Sequence, residues 1–247
     1  MASFLPRLYA ARKAARPAPS VHVLAYRSAP LMDAASPRKR PVFARHAASL
    51  VLWRYAPEGA EVLMGLRGAG HRFMPNRLVF PGGAVDKSDN HALAATEPDP
   101  TTLAMLQRNA GPRLARALVV AAARELQEEA GLSFGSPPRL DAIDYLCRAV
   151  TPPALHMRFN ARFLIAEAAA VEGQPADSRE LEAVRFYPIE QALELNLMAV
   201  TREVLLRVQE YLGLEGAARR QRTQLFAYIR DCWVPEKAVI SRPLPPG

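Results

Sequence analysis

Cysteine is nearly absent from this sequence, whose 247 residues include only Cys147 and Cys232. Two cysteines so far apart in the chain support neither a disulfide framework nor a structural zinc site. Their scarcity is typical of proteins that work in a reducing compartment, and we therefore expect a cytoplasmic protein.

Long apolar runs are missing as well. No run reaches the roughly 18 residues that a membrane-spanning helix requires, although 50% of the residues are hydrophobic. The chain can therefore build a sizeable core, and we expect no membrane partner. No sequence feature sets the oligomeric state.

Acidic residues are scarce at the start of the chain. Residues 1–45 carry nine of the 32 basic residues and a single acid, Asp33, which leaves 23 basic and 23 acidic residues for 46–247. The net charge of +8 therefore resides in a Pro/Ala/Arg-rich leader, predicted to be disordered over 1–41. The neutral remainder argues against a nucleic-acid partner. A solvated tail explains such a leader, and an organellar transit peptide is the alternative.

Residues 42–247 alternate strand and helix patterns, which predicts one mixed α/β (α+β) domain. Strands are predicted at 45–55, 61–67, 76–83, 141–150, 156–168 and 183–187. Helices are predicted at 113–130, 188–195 and 199–213, the last of which opens a helical C-terminal extension, about 199–247. Residues 84–112 form a polar stretch, predicted to be an insertion with a short helix near 101–109.

The helix predicted at 113–130 ends in a cluster of acids, Glu125, Glu128 and Glu129, just before Gly131. At about 100° per residue the three side chains share one arc of the helix and repel one another, and the helix dipole disfavours anions at this end. A solvated acidic helix end is the simple explanation. The apolar run that precedes the acids favours a bound Mg²⁺ or Mn²⁺ instead, because clustered carboxylates select hard cations.

The strand predicted at 156–168 alternates strongly. Arg158, Asn160 and Arg162 share one face, and apolar side chains share the other. This alternation predicts a half-buried strand with a cationic face. The two arginines either bind a substrate phosphate or simply face solvent.

The stretch RELQEEAGL, with FPGG upstream, resembles the signature of the Nudix hydrolases, G-x5-E-x7-R-E-U-x-E-E-x-G-U, where U is aliphatic. The second half matches at every fixed position: Arg124, Glu125, Leu126, Glu128, Glu129, Gly131 and Leu132. The first half departs from it, because Gly83 precedes Arg124 by 41 residues and Arg116 stands where the family has its first glutamate. The resemblance implies a mixed β-sheet sandwiched between helices, with residues 84–112 inserted.

The same resemblance implies a metal-dependent hydrolase that cleaves a phosphoanhydride in a small nucleotide substrate. The cofactor would be Mg²⁺ or Mn²⁺. The implied ligands are Glu125, Glu128, Glu129 and the Gly82 carbonyl. Glu125 would otherwise position the attacking water, while Arg124 would steady the carboxylates through charged hydrogen bonds.

Three further positions follow from the resemblance. A catalytic base would come from a later loop, at Glu180 or Glu182, although both also fit as solvent-facing acids. Gly83 would let the backbone approach the substrate closely. Arg67 matches a family arginine that contacts substrate, and a surface role fits it equally well.

A narrower resemblance concerns the substrate. RFMPNRLVFPGGAVD and RFNARFLIA are similar to the enzymes that resemble animal peroxisomal coenzyme A diphosphatases, over about residues 42–195. This implies coenzyme A or acyl-coenzyme A as substrate, with ADP-ribose, NADH or another nucleotide as alternatives. Because the glycine corner and the acidic helix must meet, the insertion is expected to lie beside the site as a lid or specificity element. A non-catalytic nucleotide sensor and a nucleic-acid-binding module that uses the leader stay open as other classes.

Overall fold

The computed structural model describes residues 43–68 and 76–236, which all lie within the compact unit Pro41–Gly247. The basic leader therefore falls outside the described residues. The strands are β1 (Arg45–Ala56), β2 (Gly59–Arg67), β3 (Arg77–Val79), β4 (Gly82–Ala84), β5 (Asp144–Val150), β6 (Phe159–Glu167), β7 (Leu181–Pro188), β8 (Phe226–Ile229) and β9 (Cys232–Pro235). The helices are α1 (Pro100–Leu106), α2 (Pro112–Ala130), α3 (Ile189–Glu194), α4 (Ala199–Leu212) and α5 (Gly216–Gln221).

In the described part of the chain, nine strands form one mixed sheet in the order β3-β2-β1-β6-β5-β8-β9, with β4 paired to β1 and β7 paired to β2. The β1–β6 and β5–β8 pairs are parallel, and the other pairs are antiparallel. The long parallel pair places the start of β1 beside the start of β6. This arrangement brings the glycine-rich β4, which pairs with Ala47–Ser49, to the same end of the sheet.

Both faces of the sheet are covered by helices. One core cluster joins the sheet to α2 and α1, and a second cluster joins the opposite face to α3 and α4. The predicted mixed sheet between helices is therefore confirmed. Within the described ranges, no helix combines the length and the apolar character needed to cross a membrane.

Helix α2 begins and ends at the residues that the sequence indicates. Pro112 occupies its first position, where a missing N–H costs nothing. Gly131 follows its last residue in the left-handed conformation, with φ of 71°, and donates its N–H to the Gln127 carbonyl. Almost the entire body of the helix is buried, so its acidic C-terminal turns emerge at the edge of the core.

Three predicted elements differ in the structure. The strand predicted at 76–83 is two short strands, since the chain passes at Pro81 from pairing with β2 to pairing with β1. Strand β6 is buried on both faces instead of half-buried, because helices cover both sides of the sheet. The segment after α5 adds the hairpin β8–β9, so the C-terminal extension is not purely helical.

Residues 84–112 contain the predicted short helix, which is α1. Met105 and Leu106 of α1 belong to the core under α2, and Thr102 donates its hydroxyl to the Ile143 carbonyl. Thr96 accepts the backbone N–H of Leu140 through its carbonyl. Beyond its first few residues, the stretch thus packs against the core, and its role as a lid or specificity element stays a prediction.

Candidate metal and catalytic site

The acidic end of α2 meets the glycine corner at β4. The Gly82 N–H donates to Glu129 Oε2 at 2.7 Å, which ties the two elements together directly. Gly83 lies so close to the Glu125 carboxylate that a Cβ at this position would overlap it. The structure therefore brings Gly82, Gly83, Glu125 and Glu129 into one place, although Gly82 and Gly83 stand more than 40 residues before the acids.

Glu129 is the most deeply buried of the three acids at the end of α2, with 3% of its surface exposed. Its second oxygen, Oε1, is buried without a hydrogen-bond partner and faces Arg67 Nη2 at 3.7 Å. The Arg67 Nε is likewise buried and unbonded. Buried polar atoms without partners are rare, and a bound ligand, ion or water is one way in which such atoms complete their bonding.

Burial is the main reason why the pKa values of Glu129 and Glu125 are raised. It raises the pKa of Glu129 to about 8, and the charges of Glu125 and Glu180 act in the same direction. The Gly82 N–H and Arg67 oppose this effect. Burial also raises the pKa of Glu125, against the attraction of Arg124. The site is therefore short of positive charge, which a cation would supply.

Arg124 connects the carboxylates to the turn that follows β4. Its Nη1 donates to Glu125 Oε1 and to Glu128 Oε2, both at 2.9 Å. Its Nη2 donates to the Ala84 carbonyl at 3.2 Å, and its Nε donates to Asp89 Oδ1 at 2.9 Å. The contacts with Asp89, first of all the hydrogen bond, and with Glu125 raise the pKa of Arg124.

Glu180 lies near the site and Glu182 lies in β7. The charge of Glu180 contributes to the raised pKa of both buried acids after the larger effect of their burial. The Ser178 hydroxyl accepts the backbone N–H of Glu180 and of Leu181, which shapes the loop that carries Glu180. Glu182 pairs in register with Leu66 of β2. Of the two candidate bases, the structure places Glu180 toward the carboxylates.

The two arginines of the predicted cationic face do not join this group. Arg162 is 1% exposed, and burial lowers its pKa to about 10. Its guanidinium donates to the carbonyls of Asn160 and Asn109, both at 2.9 Å, and to His46 Nδ1 at 3.1 Å. Arg158 is partly exposed and donates from Nε to the Thr151 carbonyl. The two arginines predicted to share one face are therefore one internal arginine, Arg162, and one at the sheet end, Arg158.

The donor set suits a hard divalent cation. Carboxylate oxygens and a backbone carbonyl are the ligands that Mg²⁺ and Mn²⁺ prefer, and Glu129 Oε1 is buried and unbonded. No three His, Cys, Asp or Glu side chains in the described ranges are grouped closely enough to surround an ion. Glu128 does not complete such a group, because its side chain is 57% exposed and bonded to Arg124. Glu128 would have to leave Arg124 to act as a ligand.

The two glycines allow a matched test. A Cβ on Gly82 would lie 2.5 Å from the Ala48 carbonyl oxygen and 2.5 Å from Ser49 Cα, which are fixed backbone atoms of β1. We expect Gly82→Ala to destabilise the fold by about 1–3 kcal/mol. A Cβ on Gly83 would instead push the flexible end of Glu125. Gly83→Ala should therefore keep its stability and lose about 100-fold in turnover.

Urea unfolding and steady-state kinetics of both variants check this contrast. Equal stability losses in the two variants would show that Gly83, like Gly82, is required for the stability of the fold.

Asp89 is a site residue that the sequence reasoning missed. It is the sixth residue after Gly83, the interval at which the Nudix signature has its first glutamate. Counted back from Arg124, the position of that glutamate falls on Arg116. This assignment is wrong, because Arg116 pairs with Glu97. Counting forward from the glycine would have found Asp89. The residues that are inserted within the signature therefore lie between Asp89 and Arg124.

Comparisons with known proteins agree with this geometry. Residues 115–208 match the family model described as NUDIX domain. The structure of a NUDIX hydrolase from Alicyclobacillus acidocaldarius is similar, with a TM-score of 0.54 and 26% identity, covering 66% of this chain and 90% of that one. The NUDIX domain of Shewanella oneidensis NrtR, complexed with ADP ribose, gives a TM-score of 0.46 and 18% identity, covering 72% and 93%. No curated protein matches the chain. Residues 115–208 thus match the model of the NUDIX domain, and the chain is similar in fold to a NUDIX hydrolase.

Proposed function

We propose that the protein is a Mg²⁺- or Mn²⁺-dependent pyrophosphohydrolase that cleaves the diphosphate of a nucleoside diphosphate-linked substrate. Nudix hydrolases generally act on nucleoside diphosphate derivatives and generally use such ions. The observation that supports the proposal most strongly is the buried Glu129 Oε1, which lacks a hydrogen-bond donor beside a second, partly buried acid, Glu125. A structural role for these acids would leave that oxygen paired.

In this proposal some protein groups bind the ion and others act on the water or the substrate. Glu129, Glu125, Glu128 and the Gly82 carbonyl would hold the cation. When bound, such an ion neutralises a polyanionic diphosphate and lowers the pKa of water. Glu180, on its loop beside the acids, would accept the proton of the attacking water.

Two residues beside the carboxylates, Arg67 and Gly83, would contact the substrate. Arg67, whose Nε is buried without a partner, would donate to a phosphate oxygen. Gly83, without a side chain, would leave room for the phosphates at the corner. Water would attack one phosphorus, and the bridging oxygen would leave with the other phosphate.

Coenzyme A or an acyl derivative is the finer substrate proposal, and it rests on the sequence resemblance. Cleavage would give 3′,5′-ADP and a 4′-phosphopantetheine product. Arg162 is bonded inside the protein, so Arg158 is the member of the pair proposed to contact the 3′-phosphate. A charged hydrogen bond of about 1.5–3 kcal/mol makes coenzyme A at least about tenfold better than dephospho-coenzyme A in kcat/KM.

A substrate panel tests the proposal at both levels. Coenzyme A, dephospho-coenzyme A, ADP-ribose, NADH and a dinucleoside polyphosphate are incubated with the protein and Mg²⁺ in ¹⁸O-water, and products are identified by mass spectrometry. We expect one ¹⁸O in a phosphate product, and no reaction in EDTA. Faster cleavage of ADP-ribose or NADH than of coenzyme A would contradict the coenzyme A proposal and leave the pyrophosphohydrolase proposal standing. Binding of a nucleotide without any cleavage would favour a sensor instead.

A further inference from the structure

Glu180 lies in a loop that is tied to the acidic end of α2. The Ala176 N–H donates to the carbonyl of Ala130 at 3.0 Å. Ala130 is the last residue of α2 and follows Glu129 directly. The start of the loop is therefore fixed to the turn of α2 that presents the buried acid of the site.

Two polar side chains close the same loop around Glu180. Asp177 Oδ1 accepts the Val184 N–H at 2.8 Å, which joins the beginning of the loop to β7. Ser178 Oγ accepts the N–H groups of Glu180 at 3.2 Å and of Leu181 at 3.1 Å, and the Ser178 N–H donates to the Leu181 carbonyl at 2.8 Å. Side-chain oxygens that accept nearby backbone N–H groups set the conformation of a turn. Glu180 is thus held in a turn that is bonded on both sides of it.

Strand β7 is irregular at the point where this loop joins it. The register of β2 against β7 shifts at Gly65, and Ala183 has a positive φ of 50°. Leu181 is fully buried and packs on Gly65, where a Cβ would lie 2.9 Å from the Leu181 Cβ. Bulges beside active sites re-aim side chains. The bulge and the buried Leu181 therefore fix the direction of the chain directly after Glu180.

The placement of Glu180 is electrostatically unfavourable. Burial raises the pKa of Glu129 and of Glu125 most, and the charge of Glu180 raises both further. Because like charges repel, an unrestrained loop would let Glu180 turn away into water. The bonds of Asp177 and Ser178 oppose that movement.

We infer that Asp177 and Ser178 are positioning residues that hold Glu180 beside the cation-binding acids, where it accepts the proton of the attacking water. This inference rests on the proposed hydrolase function and on Glu180 as its base, and it adds two residues that act through Glu180. A displacement of about 1 Å at an active site can lower the rate about 100-fold. The competing role for Asp177 and Ser178 is to stabilise the turn and nothing more.

Removal of the two side-chain acceptors tests the inference, with kcat and KM measured on the panel substrate that the wild type cleaves fastest. Asp177→Ala and Ser178→Ala should each lower kcat at least about tenfold and leave KM within about twofold of the wild type. Asp177→Asn and Ser178→Thr keep an oxygen that can accept the same N–H groups and should recover most of the turnover. Calorimetry without substrate should give the wild-type Mn²⁺ affinity in all four variants, because the cation ligands stay in place.

Asp99→Ala is the matched control. Asp99 Oδ1 likewise accepts a backbone N–H, that of Thr101 at 2.8 Å, but at the start of α1. Loss of this helix cap should lower the melting temperature about as much as Asp177→Ala does. The control should nevertheless retain the wild-type kcat, which separates a loss of stability from a loss of positioning.

A double variant shows whether Ser178 acts through Glu180. Glu180→Gln should lower kcat about 100-fold, since the amide cannot act as a base. Adding Ser178→Ala to Glu180→Gln should cause no further loss, because the position of that amide no longer matters. All rates are compared well below the melting temperature of each variant, so that unfolded protein does not enter the comparison.

The results distinguish failure of the inference from failure of the proposed function. Wild-type kcat in Asp177→Ala and Ser178→Ala, or a further loss of about tenfold when Ser178→Ala is added to Glu180→Gln, overturns the inference and leaves the hydrolase proposal standing. Wild-type turnover in Glu180→Gln shows that Glu180 is not the base and overturns the inference as well. A wild type that cleaves no substrate of the panel contradicts the proposed function itself, and the inference falls with it.

Discussion

Glu129→Gln is expected to leave the fold intact and to lower Mg²⁺-dependent hydrolysis by on the order of 1,000-fold, because a metal ion contributes several kcal/mol to such reactions. The glutamine oxygen can still accept the Gly82 N–H that now binds Glu129 at 2.7 Å. The charge that would hold the cation is lost. Steady-state kinetics at saturating Mg²⁺ and circular dichroism measure the two effects.

Glu190→Gln is the control for this substitution, because Glu190 is exposed on α3, across the sheet from α2. It should retain wild-type rates. A Glu129→Gln protein with wild-type turnover would show that Glu129 has no part in the reaction.

The same substitution has an effect on stability whose sign follows from the pKa. Burial raises the pKa of Glu129 from 4.5 to about 8 in the folded protein. Between these values the folded state binds more protons than the unfolded state, so stability falls as pH rises from about 4.5 to about 8. Without metal, Glu129→Gln should therefore melt higher than the wild type at about pH 8.5 and lose less stability between about pH 5.5 and that pH.

Thermal melts in EDTA at the two pH values measure this difference. Addition of Mn²⁺ should raise the melting temperature of the wild type at the higher pH and leave that of the variant almost unchanged. Identical pH dependence in the two proteins would mean that Glu129 is already charged in the apo fold.

Local signals predicted α2 and its acids well. The interval between Pro112 and Gly131 sets the helix, and the apolar run between them indicates burial, so the acids had to appear where the helix leaves the core. The helix ends and the apolar run depend only on residues that are close together in the sequence. The contact of that helix with Gly82 and Gly83 could also be predicted, because both segments belong to the same signature.

Other features depend on contacts that sequence spacing does not reveal. The alternation around Arg162 is the same for a strand that faces water and for one covered by α2, and only packing against Asn109 and His46 distinguishes them. Asp89 was hidden because the extra residues could lie before or after the acid of the signature. The parallel pairing of β8 with β5 joins segments almost 80 residues apart, which no local pattern specifies.

Glu236 is expected to be the residue whose loss destabilises the fold most. Its side chain, 1% exposed at the end of β9, accepts from Arg148 Nε at 2.6 Å and from the Tyr145 hydroxyl at 3.0 Å. Among the described residues, it is the only carboxylate bonded to Arg148 or Arg162. Glu236→Ala would leave two inner arginines without a counter-charge, and removing one partner of a buried pair costs about 3–5 kcal/mol.

Glu210→Ala is the matched control, because Glu210 pairs with Arg207 at the surface, where such pairs contribute about 0–1 kcal/mol. Urea unfolding followed by the fluorescence of Trp53 and Trp233 compares the two variants. The expected loss extends beyond the hairpin, since Arg162 links β6 to Asn109, just before α2 begins. If Glu236→Ala matched Glu210→Ala, Arg148 and Arg162 would be solvated or paired elsewhere, and the hairpin β8–β9 would be an attachment that the α2 side of the sheet does not need.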